Sequence, residues 1–233
     1  MDTDAIILRA TDISYRYGKV DVWQHLGFEL ARGVIAFLVG ANGSGKSTLL
    51  RCLAGWSPVS SGRLLFKGRP LSASDRRMRA GITFVPDVPA FYDDLTAEEH
   101  IDFVLRANRR PERKDEAERL LKALGLFGHK ARYPSTYSRG MRVKLGLVLA
   151  LCLETDLLLL DEPFGPLDDE TSAVLCRELA ASAAGGTTVI ISHHGQVPGL
   201  SADKTLNLRE GGLEVRVGSG DSPSDEAVAS DPS

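Results

Sequence analysis

Gly40 to Thr48 reads GANGSGKST, and this stretch decides the fold. Gly40, four intervening residues, then Gly45, Lys46 and Ser47 give the spacing of a phosphate-binding loop. A triphosphate carries several negative charges and needs many backbone N–H donors close to it. Gly40, Gly43 and Gly45 lack side chains and can take positive φ, so the loop can wrap inward around the phosphates. Lys46 adds a cation toward the outer phosphates, and Ser47 offers a hydroxyl to Mg2+. Gly40, Ala41, Asn42, Gly43, Ser44, Gly45, Lys46, Ser47 and Thr48 are therefore read as nucleotide-binding.

The flanks fit that reading. Val34 to Val39 is an apolar run suited to a buried strand, and Lys46 to Ala54 has helical patterning that stops at Gly55. Such a helix aims its N-terminal dipole at the bound anion. Further along, Ile82 to Val85, Leu157 to Leu160 and Thr187 to Ser192 read as buried strands. Upstream, Ile6 to Leu8, Asp12 to Tyr17 and Gly27 to Leu30 suggest more strand. Thr96 and Glu99 form a capping-box pattern, and a second helix spans about Lys114 to Leu124. Two helices with no strand between them predict an inserted helical subdomain covering about 88–140. Ser138 is placed to cap a long apolar helix, and Asp168 to cap another that ends at Gly185. Lys204 to Arg209 and Leu213 to Val217 read as a hairpin.

Two strand ends carry chemistry. Leu157 to Leu160 runs into Asp161-Glu162-Pro163, the form of a Walker B strand. Its first carboxylate would hold the metal and its second would orient a water as base. A plain helix cap or solvated turn is the alternative. His193 and His194 end a β-branched strand, where ligands bind in open α/β sheets. Tyr17, upstream of the loop, is either a ring for stacking on adenine or a tyrosine packed on its own sheet.

Composition limits the alternatives. The chain has 233 residues, 43% of them hydrophobic, enough for one large domain or a domain with a subdomain. A net charge of −3 gives no general basic field for nucleic acid. Cys52, Cys152 and Cys176 form no CxxC pair or Cys/His cluster, so buried free thiols are expected. The N-terminus is acidic where a signal peptide would be basic, and Leu145 to Leu153 is too short to cross a bilayer, which takes ~20 residues. A soluble chain is expected, with any membrane part supplied by another subunit. From Gly218 to Ser233 the chain has four acids, no base and many Ser, Gly and Pro residues, the signature of a disordered acidic tail.

Over about residues 5–217 these pieces resemble the ATP-binding-cassette (ABC) ATPase domain. The carriers are GANGSGKST, the signature YSRGM at Tyr137 to Met141, LLLLDEP at Leu157 to Pro163, the D-loop GPLD ending at Asp168, and the histidine of SHH, in family order. The resemblance implies an α/β fold: a P-loop NTPase core with a mostly parallel sheet, an N-terminal antiparallel β subdomain and the inserted helical subdomain. It implies ATP and Mg2+ as ligands. Tyr17 would stack on adenine, Asp161 would help hold Mg2+, and Glu162 would be the general base. His193 would contact the γ-phosphate, with His194 ranked second. Ser138, Arg139 and Gly140 would reach the γ-phosphate of a second subunit in a head-to-tail dimer.

The family's usual partners follow: a second ATPase subunit, as a homodimer, and a separate polytopic membrane subunit, with the chain peripheral on the cytoplasmic face. Two departures stand out. Asp87 occupies the place of the Q-loop glutamine, where it could still accept from a metal-bound water but adds negative charge beside the γ-phosphate and has a shorter reach. A regulatory, poorly hydrolysing subunit is the alternative reading. The YSxGM form of the signature resembles exporter branches, so export is the expected direction. The resemblance does not name a transported substrate.

Overall fold

In a computed structural model the described residues are 6–72, 74–75, 78, 80–194, 197, 199–209 and 212–217. The acidic tail expected at 218–233 lies outside them. Among the described residues ten strands and five α-helices follow one another. The strands are β1 (Ile6–Tyr17), β2 (Val20–Ala31), β3 (Ile35–Val39), β4 (Ser61–Phe66), β5 (Arg69–Pro70), β6 (Ile82–Val85), β7 (Leu157–Asp161), β8 (Thr188–Ser192), β9 (Lys204–Arg209) and β10 (Gly212–Val217). The helices are α1 (Lys46–Leu53), α2 (Ala97–Ala107), α3 (Lys114–Ala123), α4 (Arg139–Leu151) and α5 (Asp169–Ala184).

The central sheet has the order β10-β9-β3-β8-β7-β6, parallel throughout except for β10 at its edge. Parallel strands covered on both faces read as continuous apolar runs, which is why LLLL and VII mark its middle. Side chains alternate between the two faces. Leu157 and Leu159 of β7 join a cluster with Leu49, Leu50 and Leu53 of α1. Leu158 and Leu160 join the opposite cluster with Val143 and Leu147 of α4 and Leu175 and Leu179 of α5.

A second, antiparallel sheet of order β2-β1-β4-β5 closes the first face. Strands β1 and β2 run far longer than the short runs visible in the sequence. Their alternation is broken by register shifts, and Asp12 and His25 take positive φ there. These irregularities hide the period-2 pattern.

Between β6 and α4 lie α2 and α3. Thr96 and Glu99 form both reciprocal bonds of the capping box on α2. Ile101, Leu105, Leu120, Leu121 and Leu124 all join the α4–α5 side of the core. Arg119 of α3 reaches both carboxylate oxygens of Glu178 on α5, at 2.8 and 2.7 Å, fastening the helical segment across the core. The three cysteines are buried and none is in a disulfide.

Candidate functional site

Four chemically notable segments sit at the C-terminal edges of parallel strands. The loop after β3 carries 40–45, β6 leads to Asp87, β7 ends in Asp161 and Glu162, and β8 ends in Ser192 to His194. Parallel pairing aligns β3, β8 and β7, with Asp161 opposite Ser192. Polar residues distant in sequence therefore converge. They line a cavity of about 420 Å3 bounded by Val22, Asn42, Gly43, Gly45, Lys46, Ser47, Thr48, Asp87, Asp161, Glu162 and His194.

The loop needs its glycines for two different reasons. Gly43 and Gly45 have φ of 81° and 94°, open to glycine at little cost. A Cβ on Gly45 would also stand 2.6 Å from Val22 Cγ1 and 2.8 Å from Trp23 Cδ1. A Cβ on Gly40 would stand 2.3 Å from the backbone oxygen of Leu208. Strands β2 and β9 thus press on the loop from outside. Lys46 is buried, with Nζ donating to the backbone oxygens of Gly40 at 2.9 Å and Ala41 at 3.3 Å. These bonds bend the lysine back over its own loop. Ser44 Oγ is buried without a hydrogen-bond partner. A cation beside a ring of loop amides and a spare hydroxyl is a site for a polyanion.

The two carboxylates differ in environment. Asp161 is buried and accepts a hydrogen bond from Ser192 Oγ at 2.6 Å. Glu162 takes φ of 50°, uncommon for a non-glycine residue. Its N–H donates to Ser192 at both the backbone oxygen (3.1 Å) and Oγ (3.0 Å), which hold the turn. Burial pushes the Glu162 carboxyl above the usual glutamate range, against the opposing pull of His194 and Lys46. Among the described residues no group of three or more His, Cys, Asp or Glu could hold a metal alone. The donor set present, the Ser47 hydroxyl and the Asp161 carboxylate, suits Mg2+, which takes one or two protein oxygens together with phosphate oxygens.

The two histidines occupy different surroundings. His193 is buried, with its ring edge-on to Phe37 at 4.5 Å. His194 lines the cavity, and its Nε2 lies 2.9 Å from Glu162 Oε1 without hydrogen-bond alignment. The sequence ranked His193 first; both histidines follow the end of β8 at Ser192, and of the two it is His194 that lines the cavity.

Other expected residues stand outside this cavity. Tyr17 is 71% exposed at the end of β1, its ring against Tyr15. Ser138 caps α4 by accepting the N–H of Met141 at 3.2 Å. Gly140 packs so closely on the D-loop that a Cβ would meet the Pro166 backbone oxygen at 2.7 Å. Asp168 caps α5 by accepting from Thr171 N–H at 2.7 Å, which holds its carboxyl below the usual range. Arg139 turns toward its own chain, donating to Asp87 Oδ1 at 2.6 Å. Ser192 and Val22 were not singled out from sequence. A strand-end serine gives no signal until the register places it beside Asp161.

Comparison with known proteins supplies context. Residues 23–165 match the family model described as ABC transporter. The chain is similar to the sulfate/thiosulfate import ATP-binding protein CysA of Mycobacterium bovis, with 36% identity over 93% of this chain and 62% of that protein. It is similar to the same-named protein of Caulobacter vibrioides at 34% identity, over 87% of this chain and 62% of that one. The chain thus spans less than two thirds of the length of these curated relatives. Among solved structures, an ATP binding subunit of an ABC transporter superposes with a TM-score of 0.85 and 27% identity, over 91% of this chain and 90% of that one.

Proposed function

We infer the function from one premise: this chain belongs to the ABC transporter family. It is an ATP-binding cassette that hydrolyses ATP to drive a membrane transporter. The observation that carries this reading is the convergence of Lys46, Ser47, Asp161, Glu162 and His194 on one cavity.

Each residue has a task that its geometry supports. Loop amides and Lys46 bind the phosphates, and Lys46 exchanges its two backbone carbonyls for phosphate oxygens. Ser47 and Asp161 would hold Mg2+, which when bound neutralises phosphate charge. Glu162 accepts a proton from the attacking water, and its partial burial makes it a stronger base than an exposed glutamate. His194, beside Glu162, orients that carboxylate and reaches toward the γ-phosphate. Tyr17 is free to stack on the adenine.

The chain works as a homodimer in which Ser138 and Gly140 of one subunit complete the ATP site of the other, while Arg139 pairs with Asp87 of its own chain. The N-terminus of α4 suits a phosphate. A polytopic membrane subunit is the second partner, with the cassette on its cytoplasmic face; no described helix is long and apolar enough to cross a membrane. An apolar cleft of about 500 Å3 lined by Trp56, Phe84, Val88 and Leu149 supports such a contact. The YSxGM signature favours export. Uptake is the second reading, favoured by the printed names of the sulfate/thiosulfate import relatives.

The test is Mg2+-dependent ATP hydrolysis by the purified chain, followed by transport in vesicles with the polytopic subunit that copurifies with it. Turnover lost on Mg2+ removal supports the cassette reading. ATP binding with no turnover in any Mg2+ concentration favours a regulatory subunit limited by Asp87. The side of the vesicle on which substrate accumulates decides direction.

A further inference from the structure

Three carboxylates line the nucleotide cavity: Asp87, Asp161 and Glu162. Asp161 and Glu162 have roles that require their charge. Asp87 stands where the family carries a neutral glutamine, and its charge opposes a polyphosphate entering the same cavity. Arg139, the first residue of α4, donates from Nη2 to Asp87 Oδ1 at 2.6 Å. The two residues are 52 positions apart.

Resting on the ATP-binding reading above, we propose that Arg139 is a positioning residue for its own chain's nucleotide site. Its guanidinium neutralises Asp87 and fixes the carboxylate at the rim, so that an acid can stand beside bound ATP. Arginine suits the task because its charge is permanent and its fork matches a carboxylate. The pair contributes little to folding, since both side chains are well exposed, at 63% and 40%. Its effect belongs to ligand binding, where an uncompensated charge near a phosphate is felt through space. This role differs from a signature contact made across a dimer: it acts in cis and needs no second subunit.

The experiment is a double-mutant cycle on Mg2+-ATP affinity, using the full chain at concentrations where it is monomeric. The variants are Arg139→Gln, Asp87→Asn, the double variant and Arg139→Lys, each checked for an unchanged melting temperature. Arg139→Gln is expected to weaken ATP binding about fivefold, the size of one unscreened charge at several ångströms in a partly wet site. That loss should shrink at high salt. In the Asp87→Asn background the same Arg139→Gln change should have almost no effect, and Arg139→Lys should recover most of the affinity. An equal loss in both backgrounds would overturn the proposal, as would no loss in either. Failure of the wild-type chain to bind ATP would overturn the functional reading with it; wild-type binding with an additive cycle would overturn this inference alone.

Discussion

Ser192 Oγ donates to Asp161 Oδ1 at 2.6 Å from a side chain with no exposed surface. The same oxygen accepts the backbone N–H of Glu162 at 3.0 Å, so one hydroxyl holds the Asp161 carboxylate and the Glu162 backbone together. Removing it leaves a buried carboxylate short of a charge-assisted bond, a loss of about 1.5–3 kcal/mol. Ser192→Ala should lower turnover about 10- to 100-fold and raise the Mg2+ concentration needed for half-maximal activity, as loss of a metal ligand's support does. ATP binding without Mg2+ should be retained. A Mg2+ titration of ATPase activity identical to wild type would remove Ser192 from the site's support.

Glu162→Gln should retain ATP binding and lose most turnover, because the amide keeps the shape and discards the base. Burial raises the Glu162 pKa, so the acid limb of the kcat/KM profile should fall above the usual glutamate range near 4.5. The sign for stability follows. A raised pKa means that the folded chain binds this proton more tightly than the unfolded chain does. The ionised glutamate therefore costs stability above its folded pKa, and that cost vanishes below the unfolded value. Glu162→Gln should melt at or above the wild-type temperature at pH 7, with the advantage fading toward pH 4.

The two histidines should give opposite phenotypes. His194→Ala removes an exposed ring beside Glu162, so turnover should fall at least about tenfold while the melting temperature stays near wild type. His193→Ala empties a buried position against Phe37 and should cost about 1–3 kcal/mol of stability. Thermal melts and ATPase rates on both variants separate them; a larger rate loss in well-folded His193→Ala would restore the sequence ranking.

Gly40→Ala should fail at folding as well as at binding. Its new Cβ would stand 2.3 Å from the Leu208 oxygen, and a backbone atom of β9 cannot rotate aside as a side chain can. A destabilisation above about 2 kcal/mol is expected, by the cost of forced overpacking. Urea unfolding with and without ATP measures both effects, and a variant as stable as wild type would show that β9 does not brace the loop.

Much of this was legible in sequence because the local and global signals agree. The loop spacing, the LLLLDEP strand and the caps at Thr96, Ser138 and Asp168 are each written in contiguous residues. What escaped depends on register. Ser192 matters only because β8 places it opposite Asp161. Which of His193 and His194 lines the cavity depends on how the chain turns after β8 ends at Ser192, and two adjacent histidines carry no signal of that turn. The pairing of Asp87 with Arg139 joins two segments whose separation in sequence carries no hint of contact.

The dimer can be tested through its division of labour. Ser138 caps α4 outside the chain's own cavity, so its work on ATP would be done for a second copy. Ser138→Asp keeps a good cap, since aspartate caps about as well as serine, but sets a carboxylate against the partner's γ-phosphate. It should fold normally and hydrolyse little. Glu162→Gln is inactive for a different reason, in the other half of the composite site. In an equal mixture, half of the dimers are mixed, and each mixed dimer has one site with neither lesion. Activity should then return to about a quarter of wild type, from two chains that are silent alone. If each site were built from one chain, mixing would restore nothing. ATPase measured across mixing ratios at fixed total protein decides between the two.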